Sequence, residues 1–117
     1  MEKMVQIALL FDFYGQLLTG KQIDIVEMYY SNDMSLSEIS EQLGISRQGV
    51  YDTLKRAEKT LYEYEEKLGL VNRFLQQKDN IKEIDSMLDE VLLSRNTDVE
   101  SLKNNIIKIK DYIDKLL

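Results

Sequence analysis

A chain of 117 residues, 44% hydrophobic and 31% charged, is apolar enough to fold and long enough for one domain, or for a small domain with an appendage. It has no His, Cys, Trp or Pro and five glycines. This removes zinc sites of the usual ligand types, thiol and imidazole chemistry and disulfides, and it leaves too few turn residues for a β-rich fold. The net charge is −6, so any contact with nucleic acid must come from a local concentration of cations rather than from the whole surface.

Met1-Glu2-Lys3-Met4-Val5 has neither a basic leader nor a small-residue cleavage site. No apolar run approaches the roughly 18 residues needed to span a bilayer. The expectation is a soluble, cytoplasmic protein without a cofactor. The segment from Glu2 to Tyr14 is dense in Val5, Ile7, Leu9, Leu10, Phe11 and Phe13. It reads as a helix buried on most sides and closed by Gly15 as a left-handed cap. Asp12 within it reads as a half-buried, paired carboxylate, and Phe11, Phe13, Tyr14, Tyr29 and Tyr30 as core aromatics.

Thr19 with Gln22 forms a capping box, opening a second helix through Ile23, Val26 and Tyr30 that ends at Ser31-Asn32-Asp33. Ser35 with Glu38 forms another box, followed by Leu36, Ile39 and Leu43 at helical spacing and by Gly44 as the stop. Ile45 reads as a buried spacer. Ser46 then caps a long helix with the stripe Val50, Leu54, Ala57, Leu61, Tyr64 and Leu68, stopped by Gly69. Its Glu63, Glu65 and Glu66 read as a solvated face.

Beyond Leu70, Ile81, Ile84, Leu88 and Val91 step by three and four. Thr97 and Glu100 form a third box, and Val99, Leu102, Ile106, Ile109, Ile113 and Leu116 continue the same spacing, with Ile107, Tyr112 and Leu117 off the seam. The fold class is therefore all-α. Residues 1–69 form an N-terminal helix-turn-helix bundle of four helices, and residues 70–117 a C-terminal antiparallel helical hairpin. The hairpin either completes the fold or forms the interface of a homodimer.

The segment from Ser35 to Leu61, a short helix, a glycine turn and a second helix, has the layout of a helix-turn-helix. With Val50, Leu54, Ala57 and Leu61 inward, the outer face carries Gln48, Asp52, Lys55, Arg56 and Lys59, flanked by Arg47 and Tyr51. In a DNA-binding reading the start of this helix enters the major groove. Arg47, Gln48 and Tyr51 would then face base edges, and Ser46, Lys55, Arg56 and Lys59 would suit phosphates. Residues 46–60 carry +2 in a chain of −6. The other reading is a packing unit whose outer face is merely solvated, and Asp52 in the middle of that face favours it. No Gly-rich phosphate loop and no isolated acid–base pair suggests an enzyme.

The run from Ser35 to Val50, SLSEISEQLGISRQGV, continued by Leu54-Lys55-Arg56-Ala57, resembles region 4 of bacterial sigma factors. Leu9-Leu10-Phe11-Asp12-Phe13-Tyr14, Leu17-Leu18-Thr19-Gly20-Lys21-Gln22, Tyr29-Tyr30 and Arg47-Gln48-Gly49-Val50-Tyr51-Asp52 are more particular. Over about residues 1–75 they closely resemble the YlxM family of small bacterial helix-turn-helix proteins. That resemblance implies a regulatory DNA-binding protein. Because the family is usually encoded beside the GTPase of the signal recognition particle (SRP), it also implies a part in that pathway, with the SRP GTPase or SRP RNA as partner. A protein- or RNA-interaction module of the secretion machinery, without sequence-specific DNA binding, is the alternative. The family brings no catalytic or binding residues to carry over.

Overall fold

The computed structural model describes residues 1–95 and 98–117, and among them every regular element is helical. The helices are α1 (Lys3–Tyr14), α2 (Gly20–Val26), α3 (Leu36–Leu43), α4 (Arg47–Leu68), α5 (Leu70–Leu93) and α6 (Val99–Leu116). A 3₁₀ turn (Gly15–Leu17) follows α1, and a π-helical turn (Glu27–Ser31) follows α2. The chain divides into two compact units, Met1–Asn72 and Arg73–Leu117.

In the first unit, α1, α2 and α3 all pack against α4. Its core is Ile7, Leu10, Tyr14, Leu18, Ile25, Val26, Ile39, Val50, Leu54, Ala57 and Leu61, closed by Val71. Both capping boxes form: the Thr19 hydroxyl accepts from the Gln22 N–H, and the Ser35 hydroxyl from the Glu38 N–H, with each amide or carboxylate bonding back. These bonds satisfy helix-end donors that would otherwise go unpaired.

The first helix departs from expectation. It buries only one stripe, Ile7, Leu10 and Tyr14, and leaves Met4, Val5 and Phe13 exposed. Asp12 is exposed rather than half-buried. Gly15 is not a left-handed cap: its φ is −55°, and it opens the 3₁₀ turn. Its small size is needed instead, since a Cβ there would lie 3.0 Å from the Phe11 ring.

Glu65, expected on a solvated face, instead forms a polar joint of this unit. Glu65 Oε1 accepts from the Tyr14 hydroxyl at 2.6 Å and the Val71 N–H at 3.0 Å, and Oε2 accepts from the Asn72 N–H at 2.9 Å. The Tyr14 oxygen in turn accepts from the Leu70 N–H at 3.0 Å. The first three donors of α5, which its own helix cannot pair, are thus all met by two side chains from α1 and α4. Burial alone would raise the Glu65 pKa, but the Tyr14 hydroxyl and the two backbone N–H groups outweigh it and hold it below its ordinary value.

In the second unit, Tyr112 donates to Asn80 at 3.4 Å. Met87, Val91, Asn105 and Ile109 line one groove. Rising numbers on α5 thus meet falling numbers on α6, and the pair is antiparallel. The register differs from the expected seam. Asn80, Ile84, Met87 and Val91 face Leu102, Asn105, Ile109 and Tyr112, while Ile81, Leu88, Val99, Ile106 and Ile113 are exposed. Asn80 and Tyr112 take seam positions, where their side chains bond across it. The capping box expected at Thr97 lies outside the described residues, and the cap of α6 is Asp98, whose carboxylate accepts from the Glu100 N–H.

Replacing Tyr14 with Phe keeps its stacking on Tyr64, with centroids 5.9 Å apart, but strands the Leu70 N–H and removes a donor to Glu65. It is expected to cost about 1–3 kcal/mol in urea denaturation at an unchanged m-value. A loss below about 0.5 kcal/mol would show that this joint does not hold the start of α5.

Candidate nucleic-acid interface

The helix-turn-helix is built by α3 and α4. Gly44 ends α3 at φ +67°, a left-handed conformation that costs an L-residue about 1–2 kcal/mol. The Gly44 and Ile45 N–H groups both bond to the Ser40 carbonyl, and the Ser40 hydroxyl donates back to the Ile45 carbonyl at 2.5 Å. Ser40 therefore pins the turn from both sides. Ile39, Val50 and Leu54 clamp the two helices together. Ile45 is half-buried rather than buried, because the turn lifts it to the rim.

Ser46 caps α4, its hydroxyl accepting from the Gly49 N–H at 3.0 Å. The inward stripe runs through Val50, Leu54, Ala57 and Leu61, then opens. Tyr64 is half-buried and Leu68 exposed.

The structure brings three of the candidate residues together at the first turns of α4. Arg47, Gln48 and Tyr51, with Leu36 of α3, line an open depression of about 360 Å³. The Gln48 amide donates to the Asp52 carboxylate at 2.9 Å. Asp52 thus orients Gln48 along the surface, and an incoming base edge would compete for that amide. The Lys55 ammonium lies 5.5 Å from the Tyr51 ring centre, a cation–π arrangement.

The cations fall into two groups. Lys55 is 3.4 Å from Glu58, and Lys59 is 4.0 Å from Glu63. Arg47 and Arg56 are exposed and make no ion pair among the described residues. Arg56 and Lys59 lie further along and around the helix than Arg47, Gln48, Tyr51 and Lys55, so the eight candidates do not form one cluster.

Glu58 is the residue the sequence reading missed. Only 4% exposed, it accepts from the Tyr30 hydroxyl at 2.5 Å and pairs with Lys3 at 3.1 Å as well as with Lys55. Burial opposes its charge, but the hydrogen bonds from Tyr30 and Lys3 and the charges of Lys3 and Lys55 prevail, and its pKa is lowered. Burial and the same carboxylate push the Tyr30 hydroxyl pKa well above the ordinary tyrosine range. The signal was available: Leu54, Glu58 and Leu61 step by four and three, which puts a carboxylate on the inward stripe. Glu65, between Leu61 and Leu68, repeats it.

Among the described residues, no cluster of His, Cys, Asp or Glu could hold a metal ion, and no helix is long and apolar enough to cross a membrane. Against known families, residues 1–105 match the UPF0122 family, described as "Putative helix-turn-helix protein, YlxM / p13 like". The chain belongs to this family. It is 58% identical to a UPF0122 protein of Acetivibrio thermocellus over 84 residues, 72% of each chain. It is 39% identical to one from Clostridium kluyveri over 113 residues, 97% of this chain and 96% of that one. A Listeria welshimeri relative is 40% identical over 110 residues, 94% of this chain and 96% of its own. The resemblance to the YlxM family is thus shown, and for the longer matches it extends through the hairpin.

A carboxylate whose folded pKa lies below its unfolded value contributes stability in full above that unfolded value, near 4.5 for Glu58. The contribution is lost as the pH falls through the lower, folded value. Thermal melts from pH 6 to pH 3 should therefore show stability dropping below about pH 4.5. Glu58→Gln should lower stability at neutral pH by about 1–3 kcal/mol and flatten the acid limb. An acid limb as steep as that of the native chain would contradict this assignment.

Proposed function

We propose that this protein is a non-catalytic regulator that docks the first turns of α4 into the major groove of DNA. The observation that carries the reading is the two-sidedness of those turns: Val50 and Leu54 are buried against the bundle, while Arg47, Gln48 and Tyr51 face solvent around an open depression. A helix held rigidly on one side with long polar side chains on the other meets the geometric requirement for reading base edges. Arg47 and Gln48 are the base readers in this account. Ser46, Lys55, Arg56 and Lys59 approach phosphates, Tyr51 lines the contact, and Asp52 holds Gln48 in position. No cofactor is required, and DNA contact places the protein in the cytoplasm.

The second reading is a protein- or RNA-interaction module of the SRP pathway, with the SRP GTPase or SRP RNA as partner. It is favoured by the net charge of −6 and by the glutamates that pair with Lys55 and Lys59. The Lys59–Glu63 pair is on exposed surface and weak, so a phosphate can displace it, and Lys55 is itself 45% exposed although its partner Glu58 is buried, which leaves the DNA reading ahead.

Binding to a pool of random duplexes, followed by affinity measurements on the enriched sequence, tests the proposal. Arg47→Ala combined with Lys55→Ala should abolish specific binding with helical circular dichroism unchanged. Arg56→Ala should weaken binding evenly across sequences and lower the salt slope by about 1. Recovery of a single protein from bacterial lysate, insensitive to nuclease and to the double substitution, would favour the second reading instead.

A further inference from the structure

The unit Arg73–Leu117 cannot account for its own stability. Of its described residues only Ile109 is buried, whereas Ile81, Leu88, Leu92, Val99, Ile106, Ile113 and Leu117 are all exposed, Ile81 by 65% and Ile106 by 55%. Helices in proteins take most of their stability from packing an apolar face. Monomeric proteins rarely leave so many large aliphatic side chains together in solvent.

The exposed residues are not scattered. Ile81 and Leu88 are seven residues apart, as are Val99, Ile106 and Ile113, the period of a packed helical seam. At 3.6 residues per turn, the Ile81 row lies about a quarter-turn around α5 from the residues that face α6. The Val99 row lies the same quarter-turn, in the same rotational sense, around α6. Because the helices are antiparallel, equal rotations carry both rows to the same side. The hairpin therefore has one continuous apolar face.

We propose that this face is covered by the same face of a second copy of this chain, the two hairpins closing into an antiparallel four-helix bundle with α5 of each copy lying over α6 of the other. Charge selects both the partner and the pairing. Beyond the apolar row, the outer edge of α5 carries Lys78, Asp85 and Asp89, and that of α6 carries Lys103, Lys110 and Asp114. The register that sets Tyr112 beside Asn80 puts Asp114 level with Lys78, and Lys110 and Lys103 within about a turn of Asp85 and Asp89. A two-fold axis parallel to the helices then brings every acid opposite a base across the interface. Laying α5 on α5 instead would bring Asp85 and Asp89 together, and Lys103 and Lys110 together. None of Asp85, Asp89, Lys103 and Lys110 makes an ion pair within the chain among the described residues, so all four remain available.

The test uses the full chain in two variants. One carries Asp85→Lys and Asp89→Lys, the other Lys103→Asp and Lys110→Asp. In analytical ultracentrifugation at low salt the native chain should be a dimer. Each variant alone, with unchanged helical circular dichroism, should dissociate at least tenfold more readily. An equimolar mixture should recover a heterodimer, because the swap restores both sets of opposite charges. A monomeric native chain, a variant as dimeric as the native protein, or a mixture that stays monomeric would each overturn the proposal. Ile106→Asp should give a monomer independently of salt, and a dimer that survives it would overturn the proposal as well.

Discussion

The first unit depends on the inward face of one helix. Val50, Leu54, Ala57 and Leu61 of α4 supply the surface against which α1, α2 and α3 are packed, and two carboxylates on or beside that line, Glu58 and Glu65, tie the neighbouring elements to it. Glu58 holds Tyr30 and Lys3, while Glu65 holds Tyr14 and the first backbone donors of α5. Burying a carboxylate is costly unless hydrogen bonds or opposite charges compensate it. Each glutamate therefore favours the placement of its tyrosine that keeps their hydrogen bond.

This arrangement links the core to the exposed surface of the same helix. Lys55 belongs to both: its ammonium pairs with Glu58 on the inner edge and sits by Tyr51 on the outer one. Arg47, Gln48 and Tyr51 are presented by a helix with little freedom to rotate, because Val50 and Leu54 on its other side are fully packed. A reading element fixed in this way loses less entropy on docking. The acidity of the remaining surface need not oppose binding, since Coulombic repulsion beyond about 10 Å is largely screened in ordinary salt.

Much of this was legible in the sequence, for identifiable reasons. Local chemistry read correctly: Thr19 with Gln22, Ser35 with Glu38, the Ser46 cap and the left-handed Gly44 depend on residues within a few positions of one another. Features that depend on tertiary partners read poorly. Gly15 is the right residue for a different reason, its closeness to the Phe11 ring. The π-helical turn at Glu27–Ser31 left no mark in the apolar spacing, and Glu65 looked like its solvated neighbours. In the hairpin, two overlapping heptad rows compete on each helix, and spacing alone does not say which row faces the other helix. The bond between Tyr112 and Asn80 marks the row that does. Among the candidate contact residues the shared face was legible, but the pairing of Gln48 with Asp52 and of Lys55 with Glu58 was not.

The account rests on the exposed side of the first turns of α4 being the surface that meets DNA. Titrating the isotopically labelled chain with a bound duplex, and following backbone amide shifts by NMR, tests this most directly. Shifts concentrated at residues 46–52 and along the outer face toward Lys59, with the buried stripe and the hairpin little changed, are the predicted result. Shifts that avoid residues 46–52 and gather elsewhere on the chain would contradict it.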